Sequence, residues 1–285
     1  MPTFTLTKFI AMKKLFLILT AISLFSCSES QDTVSANPNL LQKVVFFVGQ
    51  SNEVHWYFNS NGLLSGIKSP DGTLLEKFDY DFNNNVIKDT KYGNGAGVYE
   101  ITYNSNNLIT SINGQNCSFD NSTRTYSFAL DISPVGEGNG TCMVNDDKLA
   151  INSTFVNSIS HEFVTEIGYQ NGNMVAYDYT VNNGPGSEHR MFNHGGISNP
   201  LKDAALPVFR LKSLIDPSFF IEGISSVTMV ENVTFGNANP YYFNYGFLIH
   251  DDGRPEQQDR EIYNGSELEF FYTFAQYYYQ GQILP

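Results

Sequence analysis

Basic residues are scarce in this chain. Lys and Arg total 16 against 29 Asp and Glu, a formal net charge of −13 over 285 residues. Such a chain lacks the cationic surface that holds nucleic acid by its phosphates. Charged residues of both signs make up only 16%, against about 25% in an ordinary soluble domain. Cysteine is rarer still. Three residues are too few for a disulfide-built scaffold. With no Cys-x-x-Cys pair, neither thiol redox catalysis nor a zinc-thiolate site is expected. What is abundant is 23 Phe, 17 Tyr and 30 Asn. A chain so rich in aromatic and β-branched residues is not disordered.

The first thirty residues read as an address. Met12-Lys13-Lys14 is followed by an apolar run over residues 15–26, LFLILTAISLFS. Twelve residues cannot cross a bilayer core, which takes about 20, but they match the core of a signal peptide. The second Met suggests that translation starts at Met12. The run ends in Leu24-Phe25-Ser26-Cys27, which resembles a bacterial lipobox. That resemblance implies a signal peptide over 1–26, cleavage before Cys27 and acylation of its thiol, with palmitate among the chains. Residues 27–40 then form a lipidated Cys and a linker without periodicity. Ser28-Glu29-Ser30-Gln31-Asp32 resembles a surface-export signal, and also reads as a plain solvated tether. Cleavage removes Lys8, Lys13 and Lys14, leaving 13 basic residues against 29 acidic ones, a net charge of −16. A chain so charged is repelled by anionic surfaces. Membrane attachment is therefore expected through several acyl chains on Cys27 and not through a basic face.

Cys117 and Cys142 remain. In an oxidising compartment an even pair can bridge. Residues 123–131 read as a strand and residues 134–140, PVGEGNG, as a turn. A strand, turn and return would set the two thiols opposite each other. The alternative is two free buried thiols.

Internal self-similarity is the most informative pattern. Three segments begin at Phe58, Tyr80 and Tyr103. Each reads aromatic, Asn or Asp, two residues, Gly or Asn, one residue, aliphatic. Gly and Asn tolerate the positive φ of tight hairpin turns. The flanks alternate with period two, as half-buried antiparallel strands do. A fourth, degenerate copy runs from Tyr169 to Val175, and a further hairpin spans residues 241–263. The motif resembles the YD repeat. The arrangement resembles Bacteroidetes lipoproteins of unknown function that carry YD-like hairpins and a porin-like fold. The resemblance implies a lipid-anchored barrel-like β-domain over 41–285 and supplies no catalytic residue.

Residues 202–215, KDAALPVFRLKSLI, alone show helical apolar spacing. Pro207 should limit regular helix to short pieces. The segment is expected to plug one end of a curved sheet, or to act as a lid.

Chemical constellations are few. Glu188, His189 and His194 could converge on a metal only if their loop folded back, and no HExxH spacing exists. Residues 79–83, DYDFN, space oxygens like the start of a calcium loop but lack its Gly and its final Glu. Glu267 and Glu269 share a strand face at a separation a glycosidase could use. The last strand ends in Tyr277-Tyr278-Tyr279. Such a run is either buried on both faces or an exposed platform for sugar rings.

The sequence thus predicts an all-β domain, an antiparallel hairpin meander curled into an open or closed barrel-like sheet. A lipid-embedded porin is not expected, because Asn-, Lys- and Asp-rich strands supply no outward apolar band. The expected role is non-enzymatic binding or structure at the outer membrane, with a glycan or an envelope protein as partner, no nucleic acid and no cofactor. The alternative is an envelope hydrolase with a dispersed carboxylate site.

Overall fold

The computed structural model describes residues 37–93, 95–132, 136–182, 188–215, 225–236 and 241–284. The expected signal peptide and Cys27 lie outside these residues. The compact body is Pro38–Pro285. Its described residues form 18 strands. In chain order these are β1 (Leu41–Phe46), β2 (Val54–Phe58), β3 (Leu64–Lys68), β4 (Leu74–Tyr80), β5 (Val86–Lys91) and β6 (Gly97–Tyr103). Then come β7 (Ile109–Ile112), β8 (Gln115–Asp120), β9 (Thr125–Ile132), β10 (Gly136–Val144), β11 (Ala150–Asn157) and β12 (Glu162–Gln170). The last six are β13 (Asn173–Val181), β14 (Glu188–Ser198), β15 (Thr228–Phe235), β16 (Tyr241–Ile249), β17 (Pro255–Asn264) and β18 (Glu267–Tyr279). One helix, α1 (Leu201–Ile215), enters between β14 and β15.

Every strand pairs antiparallel with the next in sequence, from β1–β2 through β17–β18. The ring closes where Val44 of β1 pairs with Tyr277 of β18. The sheet is therefore a closed barrel, one of the two forms expected. Closure leaves no exposed edge.

The repeats are one physical device. In the turn after β2, Asn59 Oδ1 accepts the N–H groups of Asn61 (2.9 Å) and Leu63 (3.0 Å). Asp81 does the same for Asn83 and Asn85, and Asn104 for Asn106 and Leu108. Such a side chain replaces the backbone partners a tight turn lacks. The fourth turn residue takes positive φ in each case: Gly62, Asn84 and Asn107. A register shift falls at the aromatic residue before each Asx, so the bulge belongs to the repeat. Successive repeats are stitched together. Tyr80 donates its hydroxyl to Leu64 O, and Tyr103 donates to Val86 O at 2.9 Å.

Two further copies of this turn lack the leading aromatic. Asn145 Oδ1 accepts from Asp147 and Leu149, and Asn157 Oδ1 from Ile159 and His161. The segment from Tyr169 to Val175 uses a different turn. There Asn171 and Gly172 both take positive φ between the paired residues Gln170 and Asn173, the two-residue hairpin geometry.

Alternation sorts the two faces. On β4, β5 and β6 the inward set is Glu76, Phe78, Tyr80, Val86, Asp89, Tyr99, Ile101 and Tyr103, packed with the core or buried. The outward set includes Asp79, Lys88 and Glu100, which stand in one cross-strand row of alternating sign. Lys77 adds an outward ion pair to Asp79 at 2.6 Å.

An 18-stranded barrel is wide enough for an aqueous channel. This one is filled. Helix α1 lies against β3 and β5 on one wall and β10 and β11 on the other. It buries Ala204, Ala205, Val208, Phe209, Leu211, Leu214 and Ile215. The buried set covers more than half of its circumference, leaving one face with Asp203, Leu206 and Arg210 only partly covered or exposed. The helix is regular through Pro207, against the expectation of short pieces. The buried Ala204, Ala205, Val208 and Phe209 on either side hold the turn together where the proline removes one hydrogen bond. Asn199 Oδ1 caps the N–H of Leu201 at 3.0 Å, with Pro200 at the favoured first position. Trp56, Phe46 and Tyr279 belong to the same apolar core and are almost fully buried.

Candidate functional site

The features singled out in the sequence do not converge on one site. Cys117 and Cys142 are both free and buried. Cys117 pairs across β8–β9 with Phe128, and Cys142 pairs across β9–β10 with Tyr126. Strand β9 thus runs between them, beyond the reach of a disulfide. The expected turn over 134–140 lies largely in β10. Gly140 is small because the Phe128 ring fills its side-chain space, with 2.3 Å to an added Cβ. Close approach, not a turn, selects that glycine. Burial pushes the Cys117 thiol up to about 11 and Cys142 up to about 12, so neither is reactive near neutral pH.

Tyr277, Tyr278 and Tyr279 do not form a joint platform. Tyr277 and Tyr279 point inward and are 2% and 1% exposed. Tyr277 donates to Gln258 Oε1 and Tyr279 to Pro255 O. Tyr278 points outward, where Lys43 lies between its ring (5.7 Å) and that of Tyr57 (5.9 Å). A strand's period of two separates the three rings.

The candidate metal ligands have other partners. His189 bonds Asp178, Glu188 bonds Arg190, and both ring nitrogens of His194 face backbone carbonyls. Asp79 is paired with Lys77, and Asp81 holds its turn. Glu269 accepts from Asn264 on an exposed strand end.

Two clusters of charge lie apart from all of these residues. The first is a buried clamp at the last turn of α1. Lys212 Nζ donates to Glu76 of β4 and to Asp89 of β5, the latter at 2.7 Å. The Lys212 side chain is 1% exposed and that of Asp89 is 0%. The ammonium also sits over the Phe78 ring at 5.5 Å. Burial is the largest influence on Glu76. It outweighs the attraction of Lys212, and Asp89 adds repulsion, so the carboxyl is pushed up to about 7. Charges taken out of water are tolerated only when paired in this way. Two inward carboxylates are what the hydrolase alternative asked for. Here both are tied to one lysine, and Asp89 is wholly enclosed.

The second cluster lies at the end of the lumen where the repeat turns gather. A cavity of about 190 Å³ opens between α1 and the turns after β4, β6 and β10. Arg210 and Lys148 line it together with Tyr103, Tyr126 and the Asn84 and Asn107 turns. Arg210 donates to the backbone oxygen of Asp147 at 3.1 and 2.6 Å. Lys148 reaches across to the carbonyls of Asn106 (3.1 Å) and Asn107 (3.2 Å). Burial holds both cations below their usual ranges, and Arg210 further depresses Lys148. Burial pushes Tyr126 up to about 12.

Neither cluster announced itself as a motif. Glu76 alternates with Leu74, Phe78 and Tyr80 on the face that carries the apolar residues, and Lys212 lies among Phe209, Leu211 and Ile215. A charged residue in register with a buried face is the signal that could have found both.

No family model matches the chain, and no curated protein matches it. Two solved structures from Bacteroides are similar over most of their length. One is a porin-like protein from Bacteroides uniformis ATCC 8492, with TM-score 0.48 and 13% identity, over 86% of this chain and 98% of that one. The other is a porin-like protein from Bacteroides vulgatus ATCC 8482, with TM-score 0.27 and 10% identity, over 70% of this chain and 100% of that one. The architecture described above stands on the strand pairings of this chain alone.

Proposed function

We propose that this chain is a lipid-anchored cell-envelope protein with a binding or structural role, tethered at the outer membrane through acyl chains on Cys27. The observation that carries the reading is the sorting of the barrel's faces. A membrane barrel is apolar outside and polar inside. Here Phe78, Tyr99 and Ile101 point in, while Asp79, Lys88 and Glu100 point out. Leu75, Ile87 and Val98 share that wall, but the charged row interrupts the continuous apolar band a membrane barrel needs, so attachment falls to the tether. Helix α1 and the core rings occupy the space a conducting pore would need. What remains accessible is the outer wall, where Tyr57 and Tyr278 are half-buried over Lys43, and the mouth of the lumen. Both suit a glycan or envelope-protein partner.

The test has two arms. Metabolic labelling with a palmitate analogue should mark the full chain and be lost in Cys27→Ala. The purified lipoprotein added to planar bilayers should give no step conductance. Labelling that survives Cys27→Ala, or stable ion-conducting steps, would overturn the reading.

A further inference from the structure

The mouth cavity has a charge pattern unlike the rest of the molecule. The chain is strongly acidic, yet none of the residues lining this cavity is Asp or Glu. Its two charged residues are Lys148 and Arg210. Both donate to backbone carbonyls. The attraction of the Asp147 carboxylate for Arg210 is outweighed by burial, and Lys148 has no such counter-charge. The Asp147 carboxylate is on an exposed residue, and Arg210 meets that residue through its backbone oxygen. Two like charges face one partly desolvated space, where each repels the other. An anion between them would relieve that repulsion, and the guanidinium fork suits an oxyanion.

The backbone supports the same view. Lys148 occupies the fourth position of the Asx turn with φ of 59°, where the sibling turns carry Gly62, Asn84, Asn107 and Ser160. A lysine is a poor choice for left-handed backbone. Ser160 shares the strain, but among these turns only Lys148 carries a charge into that position, which points to a role for its side chain. From this position its ammonium reaches the wall of the cavity and braces the neighbouring repeat.

We infer that this cavity is a binding site for a small oxyanion, a carboxylate, phosphate or sulfate group held between Lys148 and Arg210. Its volume, about 190 Å³, exceeds the roughly 150 Å³ that accommodates benzene in an engineered void. One ring bearing the anionic group therefore fits. The amides of the Asn turns and the hydroxyls of Tyr103 and Tyr126 surround it with groups suited to sugar hydroxyls. The inference rests on the reading of the barrel as a binding protein and names the ligand class of its mouth.

Titration calorimetry on the lipid-free full-length chain would use four probes: inorganic sulfate, inorganic phosphate, glucuronate and glucose. The three anions should bind, with affinity falling as salt rises, and glucose should not. Glucuronate binding more tightly than sulfate assigns the site to an acidic sugar, and equal affinities assign it to a free oxyanion. Lys148→Asn is the informative variant, because Asn suits the positive φ and only the cation is lost. It should weaken anion binding about tenfold to a hundredfold, the worth of one charge-assisted hydrogen bond. Arg210→Gln should do the same, with far-UV circular dichroism confirming that either variant is folded. Absence of anion binding, glucose binding as well as glucuronate, or unchanged affinity in both folded variants would overturn the inference. Bilayer conductance would sink the binding-protein reading without touching this result, so the two failures are distinguishable.

Discussion

Strands β2–β9 and strands β10–β18 are held by different means. The first group holds three hairpins of nearly one design, β2–β3, β4–β5 and β6–β7, each closed by an Asx turn and joined in series by the hydroxyls of Tyr80 and Tyr103. The Asx turn recurs in the second group at Asn145 and Asn157, without that stitch. The second group has longer strands, up to the 13 residues of β18, and carries the helix that fills the lumen. The first is stabilised by contacts a few residues apart, repeated. The second is stabilised by contacts across the barrel. Lys212 joins them, since the lysine comes from α1 and its two carboxylates come from β4 and β5, 136 and 123 residues away.

Breaking that joint should have the largest effect. Lys212→Met leaves Glu76 and Asp89 facing each other in the core. Removing one partner of a buried pair costs about 3–5 kcal/mol, which should appear as a large drop in the denaturation midpoint. Replacing all three by apolar residues of similar size should recover most of the loss, because the desolvation cost goes with the charges. A triple variant as unstable as Lys212→Met would show that the clamp itself specifies the packing of the two groups.

Acidity gives the next effect. The Glu76 carboxyl is pushed up to about 7, chiefly by burial, against about 4.3 in an unfolded chain. Between these values the folded state holds one more proton than the unfolded chain, so stability falls as pH rises. The contribution is fully present below about 4.3 and is lost as pH passes 7. Glu76→Gln should flatten this slope in a series of urea melts between pH 4.5 and 8. An unchanged slope would place the titration elsewhere.

The repeat group should respond in smaller, separable steps. Asn104→Ala removes the acceptor of two turn N–H groups and should cost about 1 kcal/mol, as the loss of a helix cap does. Ser160→Gly should stabilise by roughly half a kcal/mol, because Ser160 takes φ of 65° and glycine relieves that strain at some entropic cost. Asn107→Gly should be nearly neutral, since Asn already tolerates this backbone. Effects of several kcal/mol at these turns would mean that the repeats are less independent than their local bonds indicate.

The same contrast explains what could be read from the sequence. The hairpins were legible because each signal is complete within seven residues: Tyr103 before the turn, Asn104 to bind it, Asn107 to take positive φ, Ile109 to enter the core. The closed ring depends on the β1–β18 pairing of chain ends, so closure was left open. Of the two alternatives for Cys117 and Cys142 the structure holds the free buried thiols. The glycines of β10 mimic a turn in sequence, whereas Gly140 makes room for the Phe128 ring. The Tyr277–Tyr279 run was read as a unit, although the alternation of its own strand divides it. The turns at Asn145 and Asn157 were missed because a valine replaces the aromatic residue. The clamp and the mouth cavity each need α1 set against strands more than fifty residues away, and no local pattern reports that.

The account turns on which face of the barrel meets water, and thiol labelling of broken cell envelopes without detergent tests this directly. Outward positions on β6 and β8, probed as Thr102→Cys and Ser118→Cys, should react readily with a water-soluble maleimide. The native Cys117 and Cys142 should stay unlabelled until the protein is unfolded. Protection of the two outward cysteines, with ready labelling of the inward ones, would mean a barrel embedded in lipid around a wet lumen and would contradict the account.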